Sequence, residues 1–221
     1  MVQMFEAVIF DFDGTLAGTK KNIIRSFQKV LSEIGCVVDG YSIERRIGIG
    51  ARPILRAVLE DNKIPYTEES VEKLIAEYSS VRIELSSEVE LFDGAVELLD
   101  ALYGRIRIAL ASMSERKVID FLLKDRGLTK YFEVVLSANE AVKMKPDPEI
   151  FLKCAQELGV DPKQCAVIED SIFGVEAAKR AGMKCIAIPS GSYTAEELME
   201  RWPDLLISAL AEKDAILGFL L

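Results

Sequence analysis

Val8 to Leu16, VIFDFDGTL, is an apolar run that stops abruptly at two aspartates and a glycine, and the reading of that stop decides the fold. Ala7, Val8, Ile9 and Phe10 are β-branched, aromatic or small and do not alternate with polar residues. That is the pattern of a strand buried on both faces of a parallel sheet. Asp11 and Asp13 then stand at its carboxyl end. Residues i and i+2 of an extended segment project to one side, so the two carboxylates face one small volume. Gly14 lets the chain turn away. Ligands of open α/β sheets bind outside the carboxyl ends of the strands, so chemistry is expected here. The same D-x-D-G string is also ordinary turn chemistry, because Asp bonds nearby amides and Gly supplies positive φ. Converging carboxylates repel and are costly to bury. A functional site therefore requires a metal ion, basic partners or both from elsewhere in the chain.

A length of 221 residues suits one large domain, or one domain carrying a smaller insert. The 50% hydrophobic and 29% charged fractions are those of a soluble globular chain, and there is no low-complexity tract or internal repeat. A net charge of -9 argues against nucleic acid or an anionic membrane as partner, since both reward basic surfaces. The opening MVQMFEAVIF lacks the basic n-region and long h-region of a signal peptide. No run approaches the length of a membrane span, and a cytoplasmic protein is expected. Cys36, Cys154, Cys165 and Cys185 are widely spaced with no C-x-x-C, as expected of buried free thiols. Histidine is absent, which removes Ser-His-Asp and Cys-His hydrolase arrangements and histidine-based zinc sites. Catalysis must rest on carboxylates, lysines, hydroxyls and a bound cofactor or metal.

Beyond Leu16 the periodicity becomes helical. Ile23, Ile24, Phe27, Val30, Leu31 and Ile34 follow helical spacing up to Gly35, a natural cap, and Arg52 to Glu60 and Val71 to Leu85 show similar apolar faces. No strand interrupts them, so residues 18–87 are expected to be an all-helical unit inserted behind the aspartate loop. From Leu91 strands and helices alternate. Strands are expected at Arg107 to Ala111, Glu133 to Leu136, Ala166 to Ile168 and Cys185 to Ile188. Helices are expected at Ala95 to Leu102 and near Glu115 to Lys124, then behind Asp147 as N-cap with Pro148 at the first position, then up to Gly182. Two weaker helices follow. This alternation predicts a Rossmann-like, doubly wound parallel sheet. Residues 1–17 and 88–221 would form that α/β core, with the helical insert as a movable cap over the strand ends.

Three later strand ends carry residues of the kinds the aspartates need. Ser112 ends RIALAS; its hydroxyl and the amides of the following helix start suit an anionic oxygen, although Ser112 with Glu115 also fits an S-x-x-E capping box. Lys145 in KMKPDPE is placed to contact a phosphate and to offset Asp11, with Lys143 as a nearby rival. Glu169 and Asp170 follow a buried run and precede a helix, repeating the logic of the first strand. Hard oxygen donors that leave room for water suit Mg2+. An acidic helix start favoured by the macrodipole accounts for Asp170 alone and less well for Glu169.

Taken in order, DFDGTL, LAS, KPDP and IEDSIFGVEAAKRAGM resemble the four motifs of the haloacid dehalogenase-like hydrolase superfamily, in its phosphoglycolate phosphatase and beta-phosphoglucomutase branches. The insert resembles that superfamily's small helical cap. The resemblance implies that Asp11 is the nucleophile, taking the phosphoryl group as an aspartyl-phosphate, and that Asp13 is the general acid and base. Its pKa is then expected to be raised by its neighbours. Ser112, Met113 and Lys145 would bind the phosphoryl group. Mg2+ would be held by the Asp11 carboxylate, the Asp13 carbonyl and Asp170, with Glu169 either direct or through water. Dehalogenating members do not normally keep an aspartate two residues beyond the nucleophile, so Asp13 favours phosphate chemistry. Gly18 and Ile23 stand where the mutase branch usually has an aspartate and a histidine, while IEDS is nearer to that branch than to phosphoglycolate phosphatases. In RIGIGARP, Arg46 to Pro53, Arg52 is the candidate substrate-facing cation, with a solvated helix-start arginine as the alternative. The expected activity is Mg2+-dependent hydrolysis of small phosphate monoesters by a monomer or small homo-oligomer, with a beta-phosphoglucomutase activity as the alternative. A binding protein that kept the fold is the remaining reading.

Overall fold

The computed structural model describes residues 5–221. The start of the opening segment, with its signal-peptide reading and the first residues of the expected core, lies outside them. β1 (Ala7–Phe10) is central in a six-stranded sheet with β2 (Arg107–Ala111), β3 (Val134–Leu136), β4 (Cys165–Glu169), β5 (Lys184–Ala187) and β6 (Leu205–Leu206). The order is β3-β2-β1-β4-β5-β6 and every pairing is parallel. The chain runs outward from β1 in one direction and then in the other, so the switch point lies between β1 and β4, where such sheets bind ligands.

Alternation along β1 explains why all four of its residues are apolar or small. Val8 and Phe10 face a cluster with Leu98, Leu99, Val118, Ile119 and Ile216. Ala7 and Ile9 face another with Phe151, Cys154, Val175 and Leu198. Helices α5 (Ala95–Leu102), α6 (Arg116–Asp125) and α10 (Lys213–Leu220) cover the first face, and α7 (Glu149–Leu158), α8 (Ile172–Arg180) and α9 (Ala195–Met199) the second. All four cysteines are buried free thiols. Among the described residues no helix is long and apolar enough to cross a membrane.

Between β1 and β2 lie α1 (Lys20–Glu33), α2 (Gly40–Glu44), α3 (Ala51–Asp61) and α4 (Glu68–Glu84), ahead of α5. These four helices bury their own cluster, in which Ile23, Phe27, Ile43, Leu55, Val58, Val71 and Tyr78 meet, and Phe27 stacks on Tyr78 at 4.2 Å. The segments that enter and leave this insert hydrogen-bond each other: Gly18 N donates to Glu90 O and Phe92 N to Leu16 O.

Several expectations shift. Helix α2 and strand β6 carry too few residues for a periodicity to register, and neither was expected. Helix α7 starts at Glu149 with Pro148 as its N-cap. Asp147 instead accepts a bond from Glu149 N at 3.1 Å, an Asx-type turn that closes just before the helix. The Ser112–Glu115 capping box does not form: α6 begins at Arg116, Glu115 occupies the N-cap position, and no side chain caps it.

Candidate active site

Asp11 continues β1, its N–H donating to Ile168 O of β4, and its carboxylate emerges at the switch point. Lys145, carried on the loop ahead of α7, reaches under the strand ends and is almost wholly buried. Its ammonium donates to Asp11 Oδ1 at 2.7 Å, Glu169 Oε1 at 2.7 Å and Ala111 O at 3.1 Å, and lies 4.8 Å from the centre of the Phe151 ring. The two carboxylates hold its pKa above the ordinary lysine value despite burial. Lys143, the rival position, pairs with Asp147 at the surface.

Glu169 closes β4. Its Oε2 accepts from Asp170 N and Ser171 N, both at 2.9 Å, and from Ser171 Oγ at 3.0 Å. The start of α8 thus fixes this side chain, and its second oxygen goes to Lys145. Asp170 accepts from Thr15 Oγ1 at 3.0 Å. One carboxylate oxygen from each of Asp11, Glu169 and Asp170 lies within 4.8 Å of the others. Burial pushes Asp11 up to about 8, with Lys145 opposing it and Glu169 and Asp13 adding to it. Burial likewise lifts Asp170 well above the carboxylate range, helped by Glu169 and Asp11. Three hard oxygen donors around one ammonium form a set short of positive charge, as a divalent cation site requires. The close fit of two glycines supports the same reading: a Cβ at Gly174 would lie 1.7 Å from Glu169 Oε1, and one at Gly191 1.7 Å from Asp170 Oδ2.

Asp13 belongs to a different network. Arg82, a buried arginine on α4, donates from Nη2 to Asp13 Oδ1 at 2.8 Å. Ser112 and Ser114 donate to Asp13 Oδ2 at 3.0 and 2.6 Å. Arg82 also reaches Ser114 Oγ at 2.6 Å and Asn22 Oδ1 at 2.7 Å, and the Asn22 amide donates back to the Arg82 and Leu85 carbonyls. Burial raises the Asp13 carboxyl, but the Arg82 charge and the Ser114 hydroxyl outweigh it and hold the pKa below the usual value. The expected upward shift is therefore reversed, because a guanidinium stands where sequence reading placed none.

Arg52, the candidate substrate-facing cation, is engaged by two glutamates. It forks onto Glu72 at 2.7 and 2.8 Å and pairs with Glu115 at 2.6 Å, outside the small cavity that Asp11, Asp13, Asp170, Met113 and Arg82 help to line. Ser112 bonds Asp13 without lining that cavity, and Met113 is in its wall. Sequence reading missed Arg82, Asn22, Ser114 and Thr15. Thr15 lies inside DFDGTL and Ser114 two residues beyond LAS, and nothing local marks their roles.

The chain matches the haloacid dehalogenase-like hydrolase family model over residues 8–188. It is 32% identical over 191 residues to the fructose-1-phosphate phosphatase YqaB of Escherichia coli, covering 85% of this chain and 98% of that one. Two crystal structures share the fold. CbbY from Rhodobacter sphaeroides in complex with phosphate is 27% identical with a TM-score of 0.84, covering 95% of this chain and 96% of that one. A beta-phosphoglucomutase from Clostridium difficile is 26% identical with a TM-score of 0.87, covering 98% and 97%. With the ordered motifs, the six-stranded sheet and the acid cluster at its switch point in agreement, the chain belongs to the haloacid dehalogenase-like hydrolases, as an enzyme of their phosphatase group.

Proposed function

We propose that this enzyme is a Mg2+-dependent phosphatase of small phosphate monoesters, sugar phosphate or phosphoglycolate-like, working through an aspartyl-phosphate in the cytoplasm. The observation that carries the reading is the separation of the two aspartates into different networks: Asp11 beside Lys145 and the acid cluster, Asp13 among Arg82, Ser112 and Ser114. Asp11 attacks phosphorus and the bond to the ester oxygen breaks, Asp13 giving that oxygen a proton. Water then attacks the same phosphorus. Asp13 takes the water's proton as the Asp11–phosphorus bond breaks, which releases inorganic phosphate and restores both residues. The Arg82 contact favours the carboxylate form of Asp13, the form this second step needs. Lys145, with Ser112 and Met113, holds the phosphoryl oxygens. Mg2+ held by Asp11, the Asp13 carbonyl, Asp170 and Glu169 would supply charge that neutralises those oxygens.

A reducing compartment agrees with the four free thiols. The fructose-1-phosphate phosphatase name of the Escherichia coli relative supports hydrolysis of small phosphate monoesters as the reaction. Residues 1–17 and 88–221 then act as core and 18–87 as cap. The test is phosphate release from a panel of small esters, with and without Mg2+, by the wild type and by Asp11→Asn. Release should require the metal and fall at least about a thousandfold in the variant. Activity that survives either change would sink the mechanism, and interconversion of glucose 1- and 6-phosphates without net release would select a mutase instead.

A further inference from the structure

The cavity above the aspartates measures about 30 Å3, room for a water or two. Its roof, which faces the leaving group of any ester whose phosphorus sits at Asp11, is built from Ile23 of α1, Ile47 and Ile54 around the start of α3, and Tyr78 of α4, with Met113 at the side. The polar side chains beside them are already engaged. Arg82 is held by Asn22, Ser114 and Asp13, and its guanidinium carbon lies 6.0 Å from the centre of the Tyr78 ring. Ser114 bonds both Arg82 and Asp13. Ser171 donates to Glu169 and accepts from Gly174 N. What remains is the first turn of α3 at Gly50 and Ala51, whose backbone amides suit one polar terminus.

Building on the phosphatase reading, we infer that this roof selects short, weakly hydroxylated phosphate monoesters and rejects polyols. A hydroxyl moved from water against Ile23, Ile47 and Ile54 finds no partner, and a buried unpaired hydroxyl is penalised while a methylene is rewarded. Of the two substrate classes named above, the phosphoglycolate-like one fits: a two- or three-carbon leaving group with at most one polar end.

The measurement is kcat/KM for propyl phosphate, glycerol 1-phosphate and glucose 6-phosphate with Mg2+ present. The value should fall along that series, to about a hundredfold lower for glycerol 1-phosphate, with its two free hydroxyls, than for the propyl ester and lower again for the hexose, given about one tenfold step for each unpaired hydroxyl. Neighbouring hydroxyls make an alcohol a better leaving group, so intrinsic reactivity works against this trend. Ile54→Thr and Ile23→Thr, on separate helices and checked for folding by thermal unfolding, should each narrow the ratio between propyl and glycerol esters severalfold. Equal or faster turnover of the hexose phosphate overturns the inference and leaves the phosphatase reading standing. Ratios unchanged in both folded variants also overturn it, by removing the roof as the selecting element. Phosphate release from no ester at all overturns the phosphatase reading and this inference with it.

Discussion

Gly174 and Gly191 are required by carboxylates, not by backbone conformation. Neither has positive φ, yet a Cβ at either would lie 1.7 Å from an oxygen of Glu169 or Asp170. Gly191→Ala must therefore turn the Asp170 carboxylate away from Asp11 and Glu169. Displacing a ligand in this way should raise the Mg2+ concentration for half-maximal activity about tenfold or more, read from a metal titration of phosphate release. An unchanged requirement would count against Asp170 as a ligand. Gly218 provides the contrast: it is exposed in α10 and an added Cβ meets nothing within 4 Å. Gly218→Ala should leave the metal requirement alone and raise stability by about 0.5–1 kcal/mol, since glycine is a poor helix former. The carboxylates themselves were legible as acids closing apolar runs. Gly191 was not, because its constraint comes from Asp170 across a loop and leaves no periodicity.

At the scale of elements, α7 and the loop before it form the mount for Lys145. Glu149, the first residue of α7, accepts from Val142 N at 2.9 Å and Lys143 N at 3.0 Å and pairs with Lys153 at 2.6 Å. The Lys153 contact, then the amides, pull its carboxyl from the ordinary 4.5 down to about 2. A carboxyl depressed on folding contributes stability that is full above its unfolded pKa and is lost as pH falls through the folded value. Glu149→Gln should cost on the order of 1 kcal/mol at neutral pH, allowing for partial solvent screening. That difference should shrink as pH drops from about 4.5 towards 2. Urea unfolding midpoints at several pH values check it, and parallel curves for the two proteins would exclude the clamp. The helix start was legible in PDPE to within one residue. The shift arises because Asp147 closes a turn onto Glu149, a choice between two local bonds that composition does not settle. The failed capping box at Ser112 is the same kind of event: its hydroxyl is drawn to Asp13, 99 residues away.

For the whole molecule, the insert closes over the strand ends through contacts at several points. Arg52 reaches Glu115, Arg45 reaches Glu197, and the Tyr193 hydroxyl donates to Arg45 O. With so small a cavity beneath it, the proposed cap role predicts that substrate enters when the insert swings on the paired segments near residues 17 and 90. Protease cleavage near residues 17 and 88 should therefore slow when Mg2+ and a phosphate analogue are added together. Cleavage at an unchanged rate would argue for an insert that does not move. The sequence by itself determined the parallel sheet, the helical insert, the strand ends bearing Asp11, Asp13, Ser112, Glu169 and Asp170, and Lys145 in the loop just ahead of a helix start. The strand ends rest on a short apolar run and the residues that follow it, and Lys145 on the helix signal of PDPE, all of which is local information. Only the tertiary structure decided which arginine meets the aspartates. Arg52 and Arg82 both lie on insert helices, and only Arg52 was singled out along the chain. Docking of the insert turns Arg82 onto Asp13, 69 residues away, and leaves Arg52 between Glu72 and Glu115. That partner choice follows from how two separately packed clusters meet, and a buried guanidinium is stable only where the meeting supplies acceptors for it.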